Sequence, residues 1–255
     1  MYRNRVIPCL LLEGHKLVKT VEFSNSSYVG DPINAVKIFN EKEVDELIIL
    51  DISASKRNTG PDFDYIQQLA SECFMPVCYG GGISTMAEVE RLFMCGIEKI
   101  SINRAAFNNP VLISEIAQRY GAQSLVGAID VKKTWLSGYK IWNYMSGKFE
   151  RQTPIEWATK LTQLGAGEIL VYDVSRDGTF KGFDLELSQS IARSVPVPVI
   201  TCGGASSVEN CRDAVLLGGA SAAAAGSLFV YKGPHRAVLI NYPEPKILRN
   251  LFNEN

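Results

Sequence analysis

The sequence lacks several features that would define a location or a polyanionic partner. It contains no run of 18 apolar residues, so no transmembrane helix is expected. The first five residues lead directly into a strand-like segment without a signal-peptide pattern, which favours a cytoplasmic protein. The formal net charge is −1 over 255 residues, and this balance gives no electrostatic basis for binding nucleic acid or a membrane surface.

Metal-binding and nucleophilic patterns are also missing. The six cysteines include no CxxC pair and lie mostly in apolar runs, so reduced thiols are favoured over disulfides or a zinc site. Only two histidines are present, His15 and His235, and neither has sequence partners that indicate a catalytic triad. We therefore expect neither a metal nor a cofactor.

An internal repeat is the most informative feature that is present. Residues 46–53 are echoed by residues 168–175, 122 positions later. The same offset maps Gly81 and Gly82 onto Gly203 and Gly204. This correspondence implies duplication of a half-size unit that contains a strand, an acidic residue at its end and a glycine-rich turn.

Short apolar runs alternate with longer amphipathic ones along the chain. The predicted strands are Val6–Leu12, Leu47–Ser53, Pro76–Tyr79, Lys99–Asn103, Ser124–Val131, Glu168–Val174, Pro198–Cys202 and Ala220–Ala225. The predicted helices are Pro32–Lys42, Tyr65–Ser71, Met86–Met94, Pro110–Tyr120, Pro154–Leu164, Leu185–Arg193 and Ser207–Leu217. The strands are apolar throughout, which is typical of parallel strands buried on both faces.

Eight strand–helix units in about 250 residues predict a (β/α)8 TIM barrel with a half-barrel internal repeat. An open doubly wound sheet is the alternative, and it is disfavoured because a repeat of four units closes naturally into a barrel. No linker-like segment interrupts residues 1–255, so we expect one domain. Two long loops, 13–31 and 132–153, occupy corresponding places in the halves and are interpreted as functional lids.

In such a barrel the active site lies at the carboxyl ends of the strands. The glycine turns at Gly80–Gly82 and Gly203–Gly204 would let backbone amides approach an anion. The amides around the next strand ends complete each cradle, and these residues are Asn103, Arg104, Gly226 and Ser227. Two cradles related by the repeat suggest a ligand with two phosphate-like ends. The alternative is that the glycines only allow tight strand-to-helix turns.

Several charged residues fall at the same end of the predicted barrel. Asp130 ends a buried strand and is a candidate general base, although it could instead hold loop amides. Asp177, followed by Gly178, could supply a second carboxylate. Asp51 and Asp173 are repeat mates, for which a shared structural role and a catalytic role remain open. Lys19, in the first long loop, is either a phosphate contact or a solvated lysine.

Charged residues also mark the opposite end of the barrel. Arg5, Glu46, Lys99 and Glu168 each begin an apolar strand, with alternating signs. Because unpaired buried charges are costly, a ring of mutual ion pairs is expected. Such a ring could be a structural plug, or a gate through which a small neutral molecule passes.

The sequence resembles, over nearly its whole length, the cyclase subunit of imidazole glycerol phosphate synthase, often called HisF. The matching segments include Arg5–Leu10, Gly30–Pro32, Asp45–Leu47, Leu50–Ile52, Gly80–Ile83, Lys99–Asn103, Ala128–Asp130, Gly165–Leu170, Arg176–Thr179 and Gly203–Ala205. The resemblance implies that a HisH-like glutaminase docks on the amino-terminal barrel face and supplies ammonia. It places the four charged base residues at the family's ammonia gate and the glycine turns at its bisphosphate ligand.

The sequence departs from the family at the predicted active site. The family's first strand carries an essential aspartate where this chain has Leu11, and Arg104 stands where the family has threonine. The pattern is similar to a divergent branch linked to acetamidino-sugar and surface-polysaccharide synthesis, above all in residues 226–243. The leading hypothesis is an ammonia-channelling subunit that supports sugar amidination in glycan synthesis.

That hypothesis assigns catalysis to Asp130 and Asp177. It assigns binding of a small phosphorylated or nucleotide-sugar ligand to the cradle residues, including Lys19, Gly82, Asn103, Arg104, Gly178, Gly204, Gly226 and Ser227. A sugar amidotransferase is a further expected partner. The alternatives are an ordinary cyclase of histidine biosynthesis and a non-catalytic barrel that only conducts ammonia.

Overall fold

A computed structural model describes residues 4–252. Eight parallel strands close into a barrel, and they are β1 (Arg5–Glu13), β4 (Leu47–Asp51), β5 (Val77–Gly80), β6 (Lys99–Ile102), β7 (Leu125–Thr134), β10 (Glu168–Asp173), β11 (Val199–Cys202) and β12 (Ala222–Ala225). Each pairs with the next, and the β12–β1 pairing closes the circle. The predicted TIM barrel is therefore confirmed.

The seven predicted helices surround the barrel, with ends within two residues of those expected. They are α1 (Pro32–Glu41), α3 (Phe63–Ser71), α4 (Met86–Met94), α6 (Val111–Tyr120), α7 (Pro154–Gln163), α8 (Leu185–Ala192) and α9 (Val208–Leu216). The predicted starts of α1 and α7 are confirmed, because Asp31 accepts a hydrogen bond from the Asn34 amide and Thr153 forms a capping box with Glu156.

Four short helices were not predicted. They are α2 (Ala54–Arg57), α5 (Arg104–Asn108), α10 (Ser227–Val230) and α11 (Pro245–Leu251). Helices of one or two turns are too short to show a helical period in the sequence. Three of them, α2, α5 and α10, directly follow barrel strands and therefore shape the carboxyl-terminal rim.

The two long segments expected as loops are β-hairpins instead. β1 continues upward to pair with β2 (Lys16–Val21), which pairs with β3 (Ser24–Gly30). In the second half, β7 extends to pair with β8 (Gly138–Asn143), which pairs with β9 (Lys148–Phe149). Asp130 consequently lies inside a long strand rather than at its end. Hairpin strands at the rim satisfy their own backbone hydrogen bonds, which a plain loop of this length would leave to water.

Buried apolar side chains form two layers. One lies between the strands and the helices, and the other fills the barrel lumen. The lumen cluster consists of Ile7, Cys9, Leu11, Val18, Ile48, Cys78, Val126, Ala128, Leu170, Tyr172, Ile200, Cys202, Ala222 and Ala224. Several of these residues are alanine or cysteine. Their side chains fill less of the lumen than the branched residues that usually fill such a barrel. Within residues 4–252, no helix is long and apolar enough to cross a membrane.

A third hairpin lies on the rim, and α11 follows it in the sequence. After α10, β13 (Tyr231–Lys232) and β14 (Ala237–Val238) form an antiparallel hairpin. The guanidinium of Arg236 donates a hydrogen bond to the Gly178 carbonyl at 3.0 Å and lies over the Phe180 ring, 5.1 Å from its centroid. The hairpin therefore packs against the loop that follows β10.

Candidate functional site

Four charged side chains form a ring at the amino-terminal end of the barrel. Arg5 bridges Glu46 and Glu168, and Lys99 Nζ lies 2.9 Å from Glu46 and 3.1 Å from Glu168. The expected ring of ion pairs is present. Burial disfavours the charged form of Lys99, but the two carboxylates outweigh it and raise its pKa. The ion pairs therefore favour the charged form of Lys99.

A cavity of about 610 Å³ opens at the other end of the barrel. This volume is within the range of small-molecule sites. Its wall includes the first glycine turn, Asn103, Arg104, Asp130 and Leu11. The strand ends and the two upper hairpins bring these residues together, although they are far apart in the sequence.

Asp130 is the carboxyl group best placed for acid–base chemistry in this cavity. Desolvation raises its pKa to about 7, with an additional contribution from Asp177. The Asn103 side-chain amide donates to Asp130 Oδ2 at 2.9 Å and opposes the shift. A carboxyl group with a pKa near neutrality can both accept and return a proton.

The first glycine turn is packed tightly against the neighbouring strand end. Gly81 and Gly82 have φ values of 122° and 73°. A Cβ on Gly81 would lie 2.4 Å from the Asp51 carbonyl oxygen. The turn therefore requires glycine for steric reasons, and the same residues expose their backbone to the cavity. Arg104, also on this wall, makes no ion pair with any residue in 4–252.

The second glycine turn has a similar backbone geometry, but the cavity beside it is much smaller. Gly203 has a φ of 104°, and a Cβ there would lie 2.5 Å from the Asp173 carbonyl oxygen. The cavity beside it, which Gly178, Gly204, Gly226 and Ser227 also line, measures about 20 Å³. That is room for about one water molecule.

Lys19 accounts for much of this difference. Its ammonium group donates to the Cys9 carbonyl oxygen at 2.6 Å, and the side chain is 5% exposed. The interpretation of Lys19 as a solvated lysine is therefore wrong. Burial lowers its pKa, while Asp177 and the neighbouring thiols partly offset this effect.

Asp177 ties the first hairpin to the barrel. It accepts hydrogen bonds from the Thr20 hydroxyl at 2.6 Å, the Phe23 amide at 3.2 Å and the Tyr172 hydroxyl at 2.9 Å. It lines the small cavity and not the large one. The two carboxylates proposed for catalysis thus face different cavities.

The repeat mates Asp51 and Asp173 organise turns. Asp51 Oδ1 accepts from the Ser53 amide and hydroxyl and from the Ala54 amide at 2.7–3.0 Å. Asp173 accepts from the Ser175 amide at 2.9 Å. Their geometry favours the structural alternative. His15 lies outside the cavity, where it stacks on Tyr65 and contacts Asp62.

Sequence reasoning missed the aromatic residues that the hairpins bring over the cavity, which are Phe23, Trp142 and Tyr144, and the cation Lys56 that α2 places beside them. The Lys56 ammonium lies 4.5 Å from the Tyr144 ring centroid, and Phe23 meets that ring edge-on. The two long segments were the signal that could have found them. Among the described residues, no cluster of three or more His, Cys, Asp or Glu side chains could hold a metal ion.

Comparison with known proteins places this architecture in a family. The model of the family described as "Histidine biosynthesis protein" matches residues 5–235. The chain belongs to this family. Within the family the chain is HisF-like, and its relatives include proteins named as numbered HisF paralogues.

Three relatives illustrate the range of the family. A Pseudomonas aeruginosa protein with the provisional name imidazole glycerol phosphate synthase subunit hisF2 is 52% identical, covering 96% of this chain and 97% of its own. A Vibrio vulnificus protein provisionally named subunit hisF3 is 47% identical, covering 96% and 95%. Imidazole glycerol phosphate synthase subunit HisF of Alkaliphilus metalliredigens is 39% identical, covering 91% and 92%.

Proposed function

We propose that this HisF-like barrel conducts ammonia from a glutaminase bound at its amino-terminal face and supports amidination of a sugar in lipopolysaccharide or O-antigen-type glycan synthesis. The observation that carries the proposal is the contrast between the two ends of the barrel. The charged ring at the base is complete, whereas Leu11 lies on the wall of the large cavity, where the family resemblance expects a catalytic acid.

The base supports an ammonia route. Among residues 4–252, four charged side chains at the base of the barrel form ion pairs only with one another, and they are Arg5, Glu46, Lys99 and Glu168. Above them the lumen is apolar and contains several small side chains. Neutral ammonia can pass an apolar lumen more readily than a hydrated ion, because burying an unpaired charge is costly. The glutaminase partner is the expected source.

The upper cavity supports a reaction other than ring closure. Leu11 is 3% exposed and has no proton to transfer. Asp51 is occupied by turn amides, and Asp177 lies beside the other cavity. General acid–base catalysis contributes about 10²–10⁴ in rate, so loss of the acid should remove most of the family reaction.

The assignment to glycan synthesis is supported by the carboxyl-terminal segment. Residues 226–243, which resemble the branch associated with acetamidino sugars, build the β13–β14 hairpin on the rim. This hairpin contacts the loop after β10, which lines the small cavity, through Arg236 and Gly178. A sugar amidotransferase is the partner that the proposal requires there.

The first experiment supplies the purified protein with ammonium and the bisphosphate substrate of the histidine pathway. We expect no imidazole glycerol phosphate above background, while the protein together with its glutaminase and the sugar amidotransferase supports amidination of a sugar acceptor. Normal turnover to imidazole glycerol phosphate would reject the proposal. A Leu11→Asp variant is the matched control for the missing acid.

A second candidate is the cyclase of histidine biosynthesis, which the names of the relatives favour together with the tuned pKa of Asp130. Rescue of a histidine auxotroph by the unaltered chain would support it. A third candidate is a barrel that only conducts ammonia. If Asp130→Asn left amidination intact while Lys99→Met abolished it, this non-catalytic function would be preferred.

A further inference from the structure

The two glycine cradles have similar backbone geometry, but the volumes of the cavities beside them differ about thirtyfold. The first faces the cavity of about 610 Å³ and the second a cavity of about 20 Å³. The repeat alone predicts a ligand with two similar anionic ends. The side chains around the cradles indicate a ligand of a different shape.

Two cations at the large cavity have no anionic partner among residues 4–252. Arg104 and Lys56 are exposed, line the cavity and form no ion pair there. Three carboxyl groups lie on the same wall. Asp51 and Glu88 accept hydrogen bonds from their own turns, and desolvation raises the pKa of Asp130 to about 7. None of them forms an ion pair with Arg104 or Lys56, so these two cations can contact a phosphate group at the first glycine turn.

The second cradle is filled and electrostatically balanced by the protein itself. The Lys19 ammonium is committed to the Cys9 carbonyl oxygen, and it lies close enough to Gly226 that a Cβ there would be 2.3 Å from it. Asp177 lines the same small cavity and partly neutralises the lysine. A phosphate entering here would have to displace Lys19 and would meet a carboxylate.

The carboxyl-terminal hairpin reinforces this closure. Arg236 donates to the Gly178 carbonyl and covers the Phe180 ring. Phe180 and Gly178 both line the small cavity. Arg236 therefore holds the loop after β10, which contains Gly178 and Phe180, against the second cradle.

The remaining wall of the large cavity is aromatic. Phe23, Trp142 and Tyr144 reach it from the two upper hairpins. Rings at this position can stack on the face of a sugar or another ring, whereas a second phosphate would gain nothing from them. The cavity thus combines one anion-binding end with one ring-binding side.

We propose that this barrel binds a ligand whose charge lies in a single phosphate or diphosphate group, held by the first glycine turn and Arg104, and whose remainder is uncharged rings, rather than a bisphosphate that spans both cradles. The inference deepens the proposed function by naming the chemistry of its ligand, a sugar phosphate or nucleotide sugar. The second cradle serves as a structural closure.

The experiment measures binding by calorimetry at fixed ionic strength. Glucose 1-phosphate and UDP-glucose are the single-ended probes, so called because each carries its charge in one phosphate or diphosphate group. Fructose 1,6-bisphosphate, with two separated phosphates, is the comparison. We expect at least one of the two single-ended probes to bind as tightly as the bisphosphate, within threefold. The two single-ended probes distinguish a sugar phosphate from a nucleotide sugar. Failure of all probes to bind, or a bisphosphate more than threefold tighter than both others, would overturn the proposal.

Matched variants locate the phosphate. Arg104→Thr should weaken binding of the tighter single-ended probe about tenfold, and Ser227→Ala in the second cradle should change it less than threefold. Because Arg104 is exposed, we expect Arg104→Thr to leave the melting temperature unchanged. Measuring that temperature is the control for folding of the variant. A larger effect of Ser227→Ala than of Arg104→Thr would contradict the inference. Binding is measured without a glutaminase, so its outcome is independent of whether the barrel conducts ammonia.

Discussion

Burial of Asp130 disfavours the ionised form of its carboxyl group. Burial raises its pKa from 3.8 to about 7, so the folded protein binds this proton more tightly than the unfolded chain. The associated stability is complete below about pH 4 and is lost as the pH rises through about 7. The difference in pKa corresponds to an upper limit of about 4 kcal/mol. The true cost is smaller, because the carboxyl group is partly exposed to the cavity.

Asp130→Asn should therefore stabilise the protein at pH 8 by about 1–3 kcal/mol relative to its effect at pH 4. The amide cannot ionise, and its oxygen can still accept the hydrogen bond from Asn103. Urea unfolding of both proteins at pH 4, 6 and 8 measures the difference. An equal effect at all three values would show that Asp130 titrates normally.

In the charged ring at the base, by contrast, a substitution that removes a charge is expected to destabilise the protein. Glu46 and Glu168 are 3% and 6% exposed, and Lys99 contacts both. Lys99→Met would leave two buried carboxylates to share Arg5, and we expect a loss of about 3 kcal/mol in the free energy of unfolding. Lys148→Met, at an exposed hairpin position, is the control and should change stability by less than about 0.5 kcal/mol.

A second substitution tests whether the loss comes from unpaired charge. Adding Glu46→Gln to Lys99→Met removes one of the uncompensated carboxylates. The double variant should regain about 1 kcal/mol over the single one. If it were less stable than the single variant, lost packing of the lysine stem would explain the effect better.

Elements differ in how well the sequence predicts them. The eight barrel strands and seven long helices were predictable because apolar periodicity and caps such as Thr153 are local signals. The rim was not, because α2, α5 and α10 are too short to show a period. The upper hairpins have polar outer strands, such as Ser24–Gly30, that resemble loops. The residues over the cavity therefore escaped prediction, whereas Asp130 and the glycine turns did not.

Tyr144, between β8 and β9, makes two contacts over the cavity, one edge-on with Phe23 and one cation–π contact with Lys56. An aromatic pair and a cation–π contact each contribute about 0.5–1 kcal/mol. Tyr144→Ala should speed hydrogen exchange of the amides in residues 141–149 about fivefold, which corresponds to about 1 kcal/mol. Trp135→Ala, at the hairpin before β8 and 96% exposed, should leave exchange unchanged. Similar protection in both variants would show that the hairpin is held by its backbone alone.

The whole molecule is symmetric at one end and asymmetric at the other. Glu46 and Glu168, repeat mates, both enter the charged ring, and Gly81 and Gly203 adopt the same left-handed backbone. The cavities above them differ because of non-repeated residues, chiefly Lys19 and Arg236. The duplicated scaffold therefore accounts for closure of the barrel, whereas the individual side chains of the rim decide which ligand it can hold.

The lumen offers a test of the barrel as a conduit. Ala224 belongs to the lumen cluster, and Ala223, equally buried, packs in the outer layer. A leucine at either position should cost about 1–3 kcal/mol by overpacking, so the two variants are matched in stability. Only Ala224→Leu should narrow the proposed ammonia route. In the complex with the glutaminase, we expect it to lower glutamine-dependent amidination at least tenfold and to leave ammonium-dependent amidination within twofold. Equal loss in both variants would show that ammonia reaches the site by another path.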